Sequence, residues 1–167
     1  VRIVRVSALL SLVVGLLQLG ATAVASIGIV EDLTNVVEVS AGESTTWSVT
    51  VFNSGAEPRR VGVRIVDLVP DGRPQFVDAG TIEGSASPFV ALESTELLVG
   101  PGENRSFSIR VDVPQNVDQA RTFWSALLFE PLDDLQEEPQ ASDGFSVRTT
   151  TRFAYSVIVH VNDPPTP

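Results

Sequence analysis

His160 is the residue that any histidine-based catalysis in this chain would have to use, because the sequence contains one histidine. A Ser-His-Asp relay needs an imidazole within hydrogen-bond reach of a nucleophile. His160 instead falls at a polar position of an alternating pattern near the end of the chain, and no motif of the nucleophile-elbow type accompanies it. We therefore interpret His160 as an exposed surface residue.

The acidic segment "DDLQEEPQASDG" is dense enough in carboxylates to suggest a metal site. Without cysteine, and with one histidine, only an all-oxygen site of the calcium type is available. Asp133, Asp134, Glu137 and Glu138 lack the alternating acidic ligands and the central glycine of a calcium loop. We expect a long solvated hairpin loop and no cofactor, and the pattern leaves calcium binding by this loop open.

Other catalytic sites have little support in the sequence. The turn "GPGE" lacks the lysine and the following Ser or Thr of a phosphate-binding loop. Two carboxylates for glycoside hydrolysis can converge from distant loops, so a secreted hydrolase stays an alternative that no motif supports. We expect a protein that is not an enzyme.

Size and charge favour a single acidic domain. The chain has 167 residues, and its 43% hydrophobic content is enough for a core without disulfides, which the absence of cysteine excludes. The formal charge is −10, every basic residue is an arginine, and no basic run occurs. Nucleic acid is therefore not an expected partner.

The N-terminal residues have the layout of a secretory signal peptide. Arg2 and Arg5 precede the uncharged run "VSALLSLVVGLLQL", and small residues follow in "GATAVAS". We predict a signal peptide at 1–25 with cleavage before Ser26; an uncleaved anchor helix is the alternative, because the run is nearly long enough to span a bilayer. The expected mature protein is periplasmic or secreted, with no stable membrane insertion.

The rest of the chain has the period-two pattern of strands. Turn signals separate apolar and polar alternation in "STTWSVTVFNSG" and "RRVGVRIVDLV", and no amphipathic helix follows the signal. We predict an all-β fold, an immunoglobulin-like antiparallel β-sandwich of about seven to nine strands, at 26–161, followed by a proline-rich tail at 162–167. In the last strand segment one parity is apolar: Phe145, Val147, Phe153, Tyr155, Val157, Val159 and Val161.

The segment "ARTFWSALLFEP" is apolar on both sides of a strand. Phe123, Leu127 and Phe129 share one parity, and Trp124, Ala126 and Leu128 share the other. Such a strand is covered on both faces, which predicts a central strand beside the last one. Two interpretations stay open: Trp124 and Leu128 are covered by the chain's own loop, or they line an open groove where a partner docks.

The order of these motifs resembles the N-terminal immunoglobulin-like domain of PapD-type periplasmic pilus chaperones. "GESTTWSVTVFNSGAEPRRVGVRIVD" resembles two strands of that domain with their asparagine turn. "SPFVALESTELLVGPGENRSFSIRV", "ARTFWSALLFEP" and "FSVRTTTRFAYSVIVHV" resemble the stretches that follow, through the long last strand. The resemblance extends from about Asn35 to Val161.

The resemblance implies a function and candidate residues. In that family the last strand lends alternating apolar side chains to an incomplete partner subunit, by β-strand addition. Two basic residues in the cleft bind the partner's terminal carboxylate; Arg152 falls near one of them, and Asn35 stands near the place of the other. The candidate partner-binding residues are Arg152, Phe145, Val147, Trp124 and Leu128.

These observations predict an exported, non-enzymatic protein-binding domain. We expect an extracytoplasmic protein partner, such as a pilus or surface subunit, bound through strand pairing along an exposed edge. A structural immunoglobulin-like module of the cell envelope is the main alternative, because a sandwich fold does not fix a function.

Overall fold

The structure, a computed structural model, describes residues 27–69, 75–117, 121–132 and 150–162. The predicted signal peptide, the acidic loop, Phe145, Val147 and residues 163–167 of the predicted tail lie outside these ranges. The described residues form ten strands and one 3-10 turn at Ser87–Phe89. The strands are β1 (Ile27–Ile29), β2 (Thr34–Ser40), β3 (Ser44–Asn53), β4 (Arg59–Val69), β5 (Gln75–Asp78), β6 (Val90–Leu92), β7 (Glu96–Val99), β8 (Asn104–Asp112), β9 (Arg121–Pro131) and β10 (Phe153–Asn162).

These strands form two sheets. One has the order β1-β3-β8-β6, and the other has the order β2-β10-β9-β4, with β5 and β7 both pairing with β4. The all-β, immunoglobulin-like sandwich predicted from the sequence is therefore confirmed. All pairs are antiparallel except β2 with β10, which run parallel. This pair arises because the chain leaves the smaller sheet after β1 and joins the larger one alongside its last strand, a crossing that period-two alternation does not reveal.

The core lies between the two sheets and uses one parity of each long strand. The alternation in β3, β8 and β10 matches their burial, with the apolar side chains turned inward. Phe107 on β8 contacts Phe129 on β9 across the interior, with ring centroids 5.9 Å apart and an edge-to-face angle of 83°. Full burial of one such side chain contributes about 1.5–3 kcal/mol. The largest completely buried side chains are Phe107, Phe129, Ile109, Leu127, Val49 and Val51.

Asn53 fixes the turn that joins β3 to β4. Its side chain is 1% exposed, and its Nδ2 donates to the carbonyls of Glu57 at 2.7 Å and Val99 at 3.1 Å. Its Oδ1 accepts a 2.9 Å hydrogen bond from the Gly55 amide, the geometry of an Asx turn. One side chain therefore holds the β3–β4 turn and ties it to the end of β7.

β9 is central in the larger sheet, as the sequence predicts for its doubly apolar segment. It pairs with β10 on one side and with β4 on the other. Its inner face contributes Phe123, Leu127 and Phe129 to the main core. On its outer face, Ala126 and Leu128 form a second buried cluster with Val66 of β4. Both faces are apolar because both faces bury side chains.

Candidate protein-binding surface

The outer face of the larger sheet carries an apolar row that crosses several strands in register. Ile158 on β10 lies opposite Trp124 on β9 and beside Val36 on β2. Paired residues in a sheet project their side chains from the same face. Val36 is 51% exposed. The row therefore forms an apolar band that reaches the edge of the sheet at β2.

An open groove lies along this band beside β10. It has a volume of about 270 Å³ and is lined by Leu68, Trp124, Ser125, Ser156 and Ile158. Ser156 lies two residues before Ile158 on the same face of β10, so a small side chain lines the groove beside the larger side chains of Trp124 and Ile158. The described lining residues are apolar apart from two hydroxyl groups, and none of these five residues carries a carboxylate. Such a groove fits an apolar side chain of another molecule better than it fits a hydrolytic reaction.

The backbone around Trp124 is held by the segment that precedes the 3-10 turn. The Trp124 amide donates to the Gly84 carbonyl at 2.9 Å, and the Ala86 amide donates to the Trp124 carbonyl at 3.1 Å. Gly84 has φ +83°, a left-handed conformation that disfavours other residues, and the Trp124 ring passes 3.4 Å from the position that a Cβ there would occupy. This contact fixes one wall of the groove.

A buried carboxylate anchors the same segment from the inside. Asp67 on β4 is 0% exposed, and its Oδ1 accepts hydrogen bonds from the hydroxyls of Ser85 at 2.7 Å and Ser125 at 3.0 Å. Its Oδ2 accepts from the amides of Thr81 at 3.0 Å and Ile82 at 3.4 Å. Burial opposes the charged form, but these four hydrogen bonds outweigh it and lower the pKa of Asp67 from its usual value. The network is structural, since every described buried polar side-chain atom has a partner.

Arg152 belongs to an ion triad on the outer face. Its Nε lies 3.1 Å from Oε2 of Glu130, while Nε of Arg64 lies 3.7 Å from Oε1 of the same carboxylate. Glu130 is largely covered, whereas both arginine side chains are about half exposed, at 52% and 51%. The triad has a net positive charge and keeps guanidinium surface open to solvent. The resemblance implies that Arg152 binds the carboxylate of a partner. In this structure Arg152 already binds Glu130 of its own chain.

β2 pairs with the second half of the last strand, β10, and no described strand pairs with the same edge of β10 ahead of it. β2 pairs with β10 from Ser156 to Asn162, and the Ser156 amide donates to the Leu33 carbonyl at 2.8 Å. Because alternate residues point their amides to opposite edges, the amide and carbonyl of Ala154 face the same side as those of Ser156. No described strand pairs with Ala154 on that side. Among the described residues, the edge of β10 ahead of β2, next to Arg152, is therefore unpaired.

His160 is the remaining polar candidate within the described ranges, and it contacts a hydroxyl group. Nδ1 of His160 lies 2.8 Å from the Thr122 hydroxyl, and its register partner on β2 is Glu38. Within the part of the chain that the structure describes, no three His, Asp or Glu side chains group as metal ligands. The same residues include no helix that is long and apolar enough to cross a membrane.

The structure separates the two outward residues of β9. Leu128 is 3% exposed and belongs to the second buried cluster, while Trp124 is partly exposed and lines the groove. Leu68 and Ile158 complete the groove but were not among the sequence candidates. The sequence could have indicated both residues. Each is apolar at a position where the alternation in "RRVGVRIVDLV" or "FAYSVIVHV" predicts a polar residue.

Comparison with known proteins identifies the fold. No protein-family model matches the chain, and no curated protein matches it in sequence. The structure is similar to PapD-like domain 7 of human CEP192, with a TM-score of 0.54 at 10% identity over 84% of this chain and 88% of that one. It is also similar to the CsuC–CsuE chaperone–tip adhesion subunit complex of Acinetobacter baumannii (TM-score 0.53, 14% identity, 82% of this chain and 57% of that chain).

The class 5 fimbriae chaperone CfaA is a third similar structure, with a TM-score of 0.53 at 12% identity over 81% of this chain and 57% of that one. This chain thus spans 57% of the CfaA chain and of the matched chain in the A. baumannii complex. At these identities the similarity shows the fold alone. The predicted resemblance to the PapD-type immunoglobulin-like domain is confirmed at that level.

Proposed function

We propose that this chain is a non-enzymatic, extracytoplasmic domain that binds another protein by pairing with one of its strands, as a chaperone does for pilus or surface subunits. The observation that carries the proposal is the open apolar groove lined by Trp124 beside the last strand. An incoming strand that pairs with β10 ahead of Ser156 would lie close to this groove and to Arg152. Its backbone would supply affinity, and the groove would select an apolar side chain.

The ion triad supports a partner that brings a carboxylate. Counted over the part of the chain that the structure describes, Arg64 and Arg152 exceed the charge of Glu130 by one, so a second carboxylate would complete a neutral group. On a chain with a formal charge of −10, such a positive spot is a local exception. Arg152 remains the residue that we propose for this contact, and Phe145 and Val147 remain the proposed apolar contacts on the strand segment before it.

The proposal is tested by capturing the partner in the native compartment. Tagged protein would be exported, cross-linked with a short reagent and purified from the periplasm or culture fluid, as wild type, as Trp124→Ala and as Leu98→Ala. Leu98 is a matched control, because it is 53% exposed and lies on β7, at the opposite edge of the same sheet. We expect one partner protein, recovered equally by wild type and Leu98→Ala and roughly tenfold less by Trp124→Ala.

Two outcomes would overturn the proposal. If no partner is recovered and the protein instead sediments with isolated cell walls, the chain is a structural envelope module. If Trp124→Ala and Leu98→Ala recover the partner equally, the groove is not the binding surface. Circular dichroism of each variant confirms that the sandwich is folded before recovery is compared.

A further inference from the structure

Along its outer edge, β2 presents backbone groups that pair with no described strand. The Leu33 carbonyl accepts from Ser156 of β10, so the odd-numbered residues of β2 direct their amides and carbonyls toward β10. Alternate residues of a strand point to opposite edges. The amides and carbonyls of Thr34, Val36 and Glu38 therefore face away from β10, where no described strand pairs with them.

Within the ranges that the structure describes, this edge lacks the usual protection against pairing. Sheet edges are commonly guarded by proline, lysine, bulges or a covering segment. In β2, "TNVVEVS", the single charged residue is Glu38, and Val36 at the centre is 51% exposed. The exposed side chain and the free backbone groups belong to the same residue, so a strand that pairs here also covers Val36.

We propose that β2 pairs with β2 of a second copy of this chain, antiparallel, about a two-fold axis that passes through Val36. In this register Val36 faces its own symmetry mate, and Thr34 of each copy faces Glu38 of the other. The outward-directed groups of Thr34, Val36 and Glu38 then all meet the corresponding groups of the other strand as hydrogen-bonded pairs.

Charge disfavours two of the alternative registers, and a third, which pairs Val36 with Glu38, loses the contact between the two Val36 side chains. A shift that pairs Thr34 with Val36 brings Glu38 opposite Asp32 of the other copy, and a shift that centres on Glu38 brings the two Glu38 side chains together. Like charges directly opposite each other destabilise a pair of strands. The register centred on Val36 places no acidic residue opposite another. In this register, the edge of β2 is therefore compatible with a second copy of itself.

The pairing joins two six-stranded sheets into one continuous sheet. With the axis perpendicular to the sheet, both outer faces lie on the same side, and the band of Trp124, Ile158 and Val36 continues into its counterpart. One seven-residue strand from each copy is a small contact, and each copy carries a formal charge of −10. We therefore expect a weak dimer that forms at high protein concentration and is strengthened by salt, which screens the repulsion between copies.

Thr34 tests the register, because opposite charges at this position have opposite effects. Thr34→Lys would face Glu38 of the other copy twice per dimer, and Thr34→Glu would oppose it twice. Sedimentation equilibrium of the purified protein should show dissociation constants about threefold to tenfold lower for Thr34→Lys and about threefold to tenfold higher for Thr34→Glu than for wild type. Equal constants for the two variants would overturn the register.

Cysteine cross-linking tests the axis. The chain has no cysteine, so Val36→Cys introduces a single thiol. Its two copies would stand about 5.5 Å apart between Cα atoms, within the range for a disulfide. Oxidation should give a covalent dimer for Val36→Cys and none for Leu98→Cys, the similarly exposed control. Monomer at every concentration for wild type, or equal cross-linking of both variants, would overturn the proposal.

The proposed dimer and the proposed partner binding are tested independently, so that either can be contradicted without the other. The dimer depends on Val36 and Thr34 and is measured with purified protein, whereas partner recovery depends on Trp124 and is measured after export. Thr34→Glu should leave partner recovery unchanged.

Discussion

Oδ1 of Asp67 on β4 accepts a 3.0 Å hydrogen bond from the Ser125 hydroxyl on β9, one step beyond the last backbone pair between these two strands, Val66 with Ala126. At this level the segment around Ser85 lies beside β9 and bonds to Trp124. At this level the Asp67 carboxylate joins β4 to β9 through side-chain hydrogen bonds in place of backbone ones. It thereby positions Trp124, which lines the groove.

Asp67→Asn should lower the free energy of unfolding by about 2–4 kcal/mol, because an amide nitrogen would replace an oxygen that accepts hydrogen bonds. Urea denaturation at pH 7 measures the change. Asp78→Asn, at an exposed carboxylate on the neighbouring β5, is the matched control and should change stability little. Equal effects of both substitutions would show that the network does not stabilise the fold.

The contribution of Asp67 should also depend on pH. The hydrogen bonds hold the pKa of the folded state below the usual value of 3.8, so the folded protein binds this proton less readily than the unfolded chain. The stabilisation is therefore complete above pH 3.8 and is lost as the pH falls through the lower pKa of the folded state. We expect the stability difference between wild type and Asp67→Asn to be constant near neutral pH and to narrow below pH 3.8. A difference that widens in acid would contradict the assigned hydrogen bonds.

Tyr155→Phe should destabilise the core by about 1–2 kcal/mol, because Nε1 of Trp47 donates a 3.1 Å hydrogen bond to the Tyr155 hydroxyl and would lose its acceptor. Trp47→Phe and the double variant complete a cycle that isolates the coupling between the two side chains. Additive effects would exclude this hydrogen bond as a source of stability.

Alkaline pH should affect wild type more than Tyr155→Phe. Burial raises the pKa of Tyr155 above its usual value of 10.0, the Trp47 hydrogen bond opposes this, and the Glu31 charge adds to it. A raised pKa favours the neutral phenol in the folded state, so its contribution is present below pH 10 and is lost as the pH rises through the folded-state value. Thermal denaturation between pH 9 and about 11.5 should show the melting temperatures of wild type and Tyr155→Phe converging as the pH rises. Melting temperatures that fall in parallel would contradict the raised pKa.

Asn53→Ala should cost about 2–3 kcal/mol, because the carbonyls of Glu57 and Val99 and the amide of Gly55 lose their partner at once. Asn53→Asp should be at least as destabilising, since a carboxylate cannot donate to the carbonyls of Glu57 and Val99. Urea denaturation compares both with Ser48→Ala, an exposed position on the same strand. Stability equal to that control would show that the turn forms without the side chain.

Arg152→Ala should separate stability from binding. In its pair with Glu130 the Arg152 side chain is 52% exposed, and ion pairs with such a solvent-exposed partner contribute less than about 1 kcal/mol. The melting temperature should therefore change little, while recovery of the proposed partner should fall. Glu130→Gln removes the competing carboxylate and should raise recovery. Unchanged recovery in both variants would remove Arg152 from the proposed carboxylate contact.

The inward-facing residues of the strands were predictable from the sequence, because burial of one face of a strand produces an alternation of apolar and polar residues. The parity assigned to Tyr155, Val157 and Val159 and the central place of β9 both follow from this pattern, and the structure confirms them. The groove was predictable only as one of two interpretations of Trp124, since the parity of a residue does not say whether another segment covers it. Trp124 is left partly open and Leu128 is covered.

Other features depend on distances along the chain that alternation does not encode. The parallel pairing of β2 with β10 joins residues more than a hundred positions apart, as Val36 with Ile158 shows. Asp67 illustrates the same limit: it reads as a polar residue at a strand end, and its partners Ser85 and Ser125 come from separate segments.

The parallel pairing of β2 with β10 also sets how the domain would bear tension. Thr34 lies beside Ser156 and Ser40 beside Asn162, so the two strands point the same way. A pull that moves the start of β2 and the end of β10 apart acts along both strands and loads their hydrogen bonds in shear. Bonds loaded in this way must rupture together, whereas those of a hairpin pulled at its ends open one at a time. Tension applied across the domain in this direction would therefore load the whole β2–β10 ladder of hydrogen bonds at once.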